Sequence, residues 1–234
     1  MISCVLTDIE GTTSSIEFVH KVLFPYARAN FPAFLKAEKD RDVQAIVHKL
    51  WTEELGHPAS SKPDIDAVTE LLQNWIDQDL KNALLKALQG KIWHQGYETK
   101  AYFGHVYPDV KESLEKWKCD GLKLAVYSSG SVEAQKLLFK HSEVGDLTPL
   151  FEAYFDTEVG HKREARSYQT IAERLGVSPA GILFLSDIKE ELDAADKAGL
   201  KTCQLLRDPL PAEGGHPMTR DFKGVDSLIR SAAV

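Results

Sequence analysis

The chain has 234 residues, of which 43% are hydrophobic, and its formal net charge is −7. This length and hydrophobic content are sufficient for one α/β core with a smaller additional unit. No basic patch dominates the acidic composition, which argues against nucleic acid and anionic membranes as partners. No apolar stretch is long enough to span a bilayer and no signal peptide opens the sequence, so we expect a cytoplasmic protein.

The first apolar segment, Ile2 to Leu6, ends at Thr7 and Asp8 and is followed by polar, turn-forming residues. This pattern is typical of a buried strand of a parallel sheet that ends in a loop. From about Phe18 to Gln89, the apolar residues instead recur at helical spacing. The clearest segments of this kind are Ala33–Leu35, Val43–Leu50, Val68–Ile76 and Leu80–Leu88. We therefore predict an all-helical insertion over residues 18–99.

In the second half of the chain, short apolar segments typical of strands alternate with helical segments. The predicted strands are Leu122–Tyr127, Tyr154–Phe155, Ile182–Leu185 and Thr202–Leu206. The predicted helices are Val132–His141, Ala165–Leu175 and Glu190–Ala198, and the segment Pro209–Pro217, rich in Pro and Gly, is predicted to be irregular. The fold class is therefore α/β, with a doubly wound, Rossmann-like parallel sheet formed by residues 1–17 and 100–234.

Polar side chains follow three of the predicted strands. They are Asp8 and Glu10, then Ser128 and Ser129, then Asp187. In open α/β sheets, ligands bind beyond the carboxyl ends of the strands, so these side chains are expected to share one site. A single aspartate in such a place is commonly a helix cap or a turn former. Three strand ends that carry carboxylates and hydroxyls together favour a functional site.

Carboxylates that lie close together raise one another's pKa, and a hard cation removes that repulsion. A site with few oxygen ligands and room for water and a phosphate oxygen suits Mg²⁺. Such an ion also offsets the charge of a bound phosphate, so that a carboxylate can attack it. A carboxylate nucleophile divides ester hydrolysis into transfer and release. The strand ends therefore indicate a magnesium-dependent phosphatase whose partner is a small phosphorylated molecule.

Four segments, in this order along the chain, resemble the motifs of the haloacid dehalogenase superfamily. They are Asp8–Thr13, Tyr127–Ser131, Gly160–Lys162 and Leu185–Asp187. The usual first motif of that superfamily is Asp-x-Asp-Gly-Thr, and here Glu10 stands in place of the second aspartate. This departure, with the segments around it and around Ile92–Tyr97, resembles the acireductone-forming enolase-phosphatases of methionine salvage.

The resemblance implies a substrate, a reaction and an architecture. The substrate is 2,3-diketo-5-methylthiopentyl-1-phosphate, which is enolised and then dephosphorylated to the acireductone, 1,2-dihydroxy-3-keto-5-methylthiopentene. The implied cofactor is Mg²⁺ and the implied state is a monomer. A helical cap domain is inserted after the first motif in this family, and the predicted insertion at 18–99 falls where that cap belongs.

The resemblance also assigns the acidic residues. Asp8 would be the nucleophile and a metal ligand. Glu10 would belong to the metal site, through its carboxylate or its backbone carbonyl, and would act as general acid and base. Asp187 would be the third protein ligand of Mg²⁺, and Glu191 would support the metal-bound waters or the catalytic lysine.

Phosphate binding is assigned in the same way. Ser128 and Ser129 would donate to phosphate through their hydroxyl and backbone N–H groups, close to the start of a helix. Lys162 would place a positive charge on the phosphate and the nucleophile. Because His161 and Arg163 flank Lys162, the choice among the three cationic side chains stays open in the sequence.

Two further alternatives are left open. Lys91, Trp93, His94 and Tyr97 either close over the methylthio tail and exclude water, or Trp93 and Tyr97, which are four residues apart, are simply packing partners. As a whole, the chain is alternatively a sugar-phosphate phosphatase of the same superfamily. A non-enzymatic phospho-receiver is disfavoured, because receivers comprise a single small domain.

Overall fold

The computed structural model describes residues 1–207 and 214–231. The strands are β1 Cys4–Thr7, β2 Lys123–Tyr127, β3 Ala153–Phe155, β4 Ile182–Ser186, β5 Lys201–Leu205 and β6 Met218–Thr219. The longer helices are α1 Phe24–Ala37, α2 Arg41–Lys49, α3 Ile65–Asp77, α4 Ala83–Glu98, α5 Val110–Cys119, α6 Val132–Lys140, α7 Ala165–Leu175, α8 Lys189–Lys197 and α9 Phe222–Ser231. Short helical turns over Ile16–Phe18 and Val19–Leu23 lead into α1.

All six strands form one parallel sheet in the order β3-β2-β1-β4-β5-β6. The strand β1 lies between β2 and β4, with Leu6 opposite Ala125 on one side and Phe184 on the other. This order is that of a Rossmann-like doubly wound sheet, and it confirms the predicted α/β fold class. It also brings the ends of β1, β2 and β4 side by side.

The two central strands of the sheet, β1 and β4, are buried on both faces, which explains why their sequences are almost entirely apolar. Every residue of β1 and β4 is buried. One face packs mainly against α7 and α8 through residues such as Tyr168, Ile171 and Leu192. The helix α7 has the bounds that the sequence predicts, because Gly176 adopts a left-handed conformation (φ 63°) and ends it.

The chain divides into two compact units, one of Met1–Ile16 with Phe103–Val234 and one of Glu17–Tyr102. The second unit is helical and occupies nearly the same residues as the predicted insertion at 18–99; its role as a cap stays a prediction. Its helices surround an apolar core of its own, in which Phe31, Leu50 and Leu72 are fully buried.

One predicted helix differs clearly in its bounds from the structure. The predicted helix Leu80–Leu88 begins only at Ala83, because the Asn82 side chain accepts hydrogen bonds from the N–H groups of Leu84 and Leu85. The sequence patterns gave no indication of α5, β6 or α9. Most of the predicted irregular segment, 209–217, lies outside the described residues. None of the helices in the described ranges has the length and apolarity needed to cross a bilayer.

Candidate active site

The nucleophile candidate, Asp8, is the first residue after β1. Its backbone N–H donates to Leu185 O at 2.9 Å, which continues the β1–β4 pairing one residue beyond the strand. The side chain is buried, with 3% of the residue exposed, and its Oδ1 accepts from the N–H of Ile9 at 2.8 Å. The carboxylate is therefore held at the end of the sheet by backbone contacts on either side of it.

The loop after Asp8 turns sharply around one carbonyl. The N–H groups of Thr12, Thr13 and Ser14 all donate to Ile9 O, at 3.1, 2.9 and 2.9 Å. Gly11 has φ +74°, a conformation that side chains disfavour, and a Cβ at this position would collide with the carboxylate of Asp187. Glycine thus allows the first motif to approach the last one closely.

Lys162 places its ammonium group in the same region. The Nζ atom lies 2.7 Å from Asp8 Oδ1 and 2.7 Å from Glu191 Oε2, and 4% of the residue is exposed. Burial alone would lower the pKa of Lys162, but the charges of Asp8 and Glu191 outweigh burial and raise that pKa. His161 and Arg163 are both exposed, so of these three basic side chains only Lys162 is buried against the carboxylates.

Ser128, at the end of β2, contacts the first motif from the other side. Its Oγ donates to Glu10 Oε2 at 3.0 Å and accepts from the N–H of Gly130 at 3.2 Å. Burial, and then the neighbouring charge of Asp8, raises the pKa of Glu10. Ser129 is exposed, so the structure joins Ser128 but not the Ser129 side chain to the carboxylates.

Asp187 completes the cluster from the end of β4. Burial, followed by the charge of Asp8, raises its pKa to about 7. Its Oδ1 is buried and accepts no hydrogen bond from any residue in the described ranges. A buried carboxylate oxygen without a donor is costly, and a bound cation would satisfy it.

The charge balance of the cluster also suits a cation. The carboxyl groups of Asp8, Glu10, Asp187 and Glu191 all lie within the electrostatic reach of one buried ammonium group, that of Lys162, which contacts Asp8 and Glu191 directly. Over residues 1–207 and 214–231, no group of three or more His, Cys, Asp or Glu side chains is arranged so that it could hold a metal ion by side chains alone. The Glu10 carboxylate is directed to Ser128, so its backbone carbonyl is the better ligand candidate.

Two groups beside the cluster were assigned no role from the sequence. Ser186 Oγ donates to Glu191 Oε2 at 2.9 Å and so orients the carboxylate that contacts Lys162. The hydroxyl of Tyr168 donates to the carbonyl of Lys162 at 2.6 Å. Ser186 belongs to the final motif, but its sequence position gave no sign of which group it would contact.

The aromatic residues at the end of α4 pack within the helical unit. The indole N–H of Trp93 donates to Leu23 O at 2.9 Å, and its ring stacks on Phe24. Tyr97 is buried, with its ring edge-on to Tyr102 at 4.8 Å between centroids. Both residues therefore pack inside the helical unit, with Phe24 and Tyr102 as partners, whereas a contact between Trp93 and Tyr97 and contact with a methylthio tail both stay predictions.

A strand-end nucleophile candidate, a buried lysine and an acidic last motif on a Rossmann-like sheet define a class of hydrolase. The family model for haloacid dehalogenase-like hydrolases matches residues 2–199. Enolase-phosphatase E1 of Yersinia pestis is 51% identical over 99% of this chain and 98% of its own. Enolase-phosphatase E1 of Marinobacter nauticus is 49% identical over 98% and 99%. The chain therefore belongs to the haloacid dehalogenase-like hydrolases and, among them, to the enolase-phosphatase E1 family.

A solved structure agrees with this result. The UTR4 protein of Saccharomyces cerevisiae is 30% identical, with a TM-score of 0.79 over 95% of this chain and 99% of that one. An L-2-haloacid dehalogenase of Xanthobacter autotrophicus, at 18% identity and a TM-score of 0.56, shares the fold. The family model and the curated relatives confirm the predicted family and the prediction that the chain is a phosphatase-type enzyme.

Proposed function

We propose that the chain converts 2,3-diketo-5-methylthiopentyl-1-phosphate to the acireductone and phosphate, by enolisation followed by hydrolysis through an aspartyl-phosphate. The observation that carries the phosphatase half is the buried contact of 2.7 Å between Asp8 Oδ1 and Lys162 Nζ. The enolase half is supported by relatives named enolase-phosphatase E1 that are about half identical over nearly the whole chain.

In the proposed first step of hydrolysis, Asp8 attacks phosphorus and the ester oxygen leaves. The N–H of Ile9 and the Lys162 ammonium both contact Oδ1, so Oδ2 is the proposed attacking atom. Glu10 protonates the leaving oxygen, and burial favours the protonated acid that this step requires. The resulting carboxylate of Glu10 then takes a proton from the water that cleaves the aspartyl-phosphate.

The phosphate is bound by positive charge and by hydroxyl and N–H donors. Lys162 contributes the charge from within the cluster, where burial strengthens it. Ser128 contributes its hydroxyl, whose single hydrogen turns from Glu10 Oε2 to the phosphate when substrate binds. Ser129 contributes its backbone N–H, since its side chain is exposed and the segment lies just before α6.

The residues proposed to hold Mg²⁺ are Asp8, Glu10 through its carbonyl, and Asp187. The unsatisfied Oδ1 of Asp187 and the excess of carboxylates over ammonium groups support this assignment. When bound, the ion supplies Lewis-acid stabilisation of negative charge on substrate oxygens. The oxygen-only ligand set favours Mg²⁺ over softer metals.

Product analysis with the diketone phosphate tests the proposal, with Asp8→Asn as the informative variant. The amide is isosteric but a very poor nucleophile, so phosphate release is abolished while part of the enolisation activity is retained. The enol phosphate then accumulates as a new conjugated absorbance without free phosphate. Saturating Mg²⁺ in the assay compensates for weaker metal binding by the amide. Phosphate release by Asp8→Asn at the wild-type rate would exclude Asp8 as the nucleophile.

The sugar-phosphate alternative is tested in the same assay, by comparing the diketone phosphate with common sugar phosphates. We expect a clear preference for the diketone, because Glu10 and the surrounding motif match the enolase-phosphatases. A monomer and a cytoplasmic location are also proposed. Sedimentation analysis of the purified chain tests the former, and fractionation of cells tests the latter.

A further inference from the structure

The loop that carries Lys162 is held by three hydroxyl groups on three consecutive carbonyls. The hydroxyl of Tyr127 donates to Gly160 O at 2.9 Å. That of Ser167 donates to His161 O at 2.8 Å, and that of Tyr168 donates to Lys162 O at 2.6 Å. The three donors come from β2 and α7, so the loop is attached to two regular elements of the core.

All three donors are buried, with 0%, 1% and 0% of Tyr127, Ser167 and Tyr168 exposed. The bond to Lys162 O is buried and the other two are partly buried. A carbonyl that loses its donor away from water is costly, so the hydroxyl of Tyr168 restricts the loop most strongly to the conformation that keeps its bond. Gly160 has φ +130°, and a Cβ there would collide with the hydroxyl of Ser167. Glycine therefore lets the backbone pack directly against this donor.

The same two tyrosines also contact the region around the lysine side chain. The Lys162 Nζ lies 5.8 Å from the centroid of the Tyr127 ring. The Tyr127 and Tyr168 rings are edge-on at 5.5 Å, and Tyr168 is in turn edge-on to Phe184 of β4. Packing of the two rings thus sets the positions of the tyrosine hydroxyls, and these hydroxyls in turn hold the loop.

We propose that the hydroxyls of Tyr127, Ser167 and Tyr168 are positioning groups for phosphoryl transfer: they fix the carbonyls of residues 160–162, and so hold the ammonium of Lys162 against Asp8. Lysine has a flexible four-carbon stem, and its charge is useful only if the backbone sets its reach. A displacement of about 1 Å can reduce catalysis about a hundredfold. The inference rests on the proposed function, in which Lys162 binds phosphate.

Single hydroxyl deletions test the inference. Tyr168→Phe and Tyr127→Phe keep the rings and remove one donor each. The matched control is Tyr154→Phe, because the Tyr154 hydroxyl is buried without a hydrogen-bond partner among the described residues. We expect kcat for phosphate release from the diketone phosphate to fall about tenfold in Tyr168→Phe, in line with a small displacement. The control should remain within about twofold of wild type, since it loses no hydrogen bond.

A double-mutant cycle with Lys162→Ala separates positioning from a purely structural role. If Tyr168 acts through Lys162, Tyr168→Phe has almost no further effect once the ammonium group is absent. The cycle is measured on kcat. It is also measured on the binding of inorganic phosphate, which is detected as a rise in the thermal unfolding midpoint and needs no turnover. Ser167→Ala serves as the second variant if Tyr168→Phe does not fold.

The outcomes are distinct. An equal loss from Tyr168→Phe with and without Lys162 shows that the hydroxyl supports the fold alone, and this overturns the inference. So does a Tyr168→Phe variant that behaves like Tyr154→Phe. If Lys162→Ala itself retains wild-type activity and phosphate binding, the proposed function of the lysine fails instead. The inference is supported when Lys162→Ala is impaired and the effect of Tyr168→Phe is confined to the background that contains the lysine.

Discussion

Arg207 contacts the loop of the first motif from outside the carboxylate cluster, and we expect its removal to lower both the free energy of unfolding and the rate of phosphate release. Its Nε donates to Thr12 O at 2.9 Å, and its Nη1 lies 2.7 and 2.9 Å from the two oxygens of Asp109. The guanidinium also stacks on the Tyr107 ring at 4.3 Å. Asp109 accepts in addition from the N–H of Phe222 at 2.7 Å. One ion pair thus joins the first-motif loop, α5 and α9.

Arg207→Met removes the charge and keeps most of the stem. The side chains of the pair are 5% and 15% exposed, so the substitution leaves a largely buried carboxylate without its counter-ion. Loss of one partner of a buried pair costs about 3–5 kcal/mol, and we expect the lower end because Phe222 still donates to Asp109. Asp109→Asn keeps an acceptor oxygen but leaves the buried guanidinium without its counter-ion, so it should also cost about 3 kcal/mol. Phosphate release should also fall in Arg207→Met, because Thr12 loses a donor beside the nucleophile.

The stability that Asp109 contributes has a defined pH dependence. Burial raises the pKa of Asp109, but the hydrogen bonds from Arg207 and from the Phe222 N–H outweigh burial and lower that pKa below its usual value. A depressed carboxyl pKa contributes stability that is complete above the unfolded value, about 3.9, and is lost as pH falls through the folded value. The stability difference between wild type and Asp109→Asn should therefore be constant near neutral pH and shrink below about pH 4.

Urea unfolding followed by fluorescence and circular dichroism measures these differences, provided that the two probes give coincident transitions and an unchanged slope. The matched control is Arg28→Met, whose partner Asp77 is half exposed in the helical unit, and which should leave stability nearly unchanged. A loss below about 1 kcal/mol in Arg207→Met would refute the reasoning, since that is the range of exposed pairs. An Asp109→Asn difference that persists undiminished in acid would refute the pH dependence.

Three further outcomes are expected. Chelation should abolish phosphate release and Mg²⁺ should restore it. Ca²⁺ should be a poor substitute, because it prefers more ligands at longer distances. Full turnover in excess chelator would contradict the metal assignment. Lys162→Ala should lower phosphate release by at least about a hundredfold, because a buried charge is removed from the phosphate, and normal kinetics would point to another cation. Gly11→Ala should greatly reduce activity, because a Cβ at φ +74° would displace the Asp187 carboxylate, while circular dichroism should still report a folded chain. Wild-type kinetics would show that Asp187 can move without consequence.

The part of the fold that sequence patterns predicted is the part governed by burial and local capping. Strands such as Ile182–Ser186 are buried along their whole length, so they read as continuous apolar segments. The helix Val110–Cys119 was missed although Val110, Leu114 and Trp117 are buried at helical spacing. Charged residues surround these three positions and reduce the apolar signal over so short a segment.

The candidate site was predictable only in its main components. Parallel pairing brings strand ends together, and this relation is visible as soon as the strands are recognised. The choice of Lys162 over its cationic neighbours depended on which side chain is buried, and that is a property of the folded loop. Likewise, the contact between Tyr168 and the Lys162 carbonyl is made by a hydroxyl whose sequence position also fits ordinary core packing.

The central position of β1 has a consequence for folding during synthesis. Cys4 pairs with Lys123 and with Ile182, so this strand leaves the ribosome long before either partner is made. At typical elongation rates, on the order of ten seconds separate β1 from β2. The helical unit between them has its own apolar core and can fold in that interval. The strand β1, in contrast, remains an unpaired apolar segment until β2 and β4 have been made. Deletions or slow codons in the helical unit would therefore alter how long a strand prone to aggregation stays exposed to chaperones.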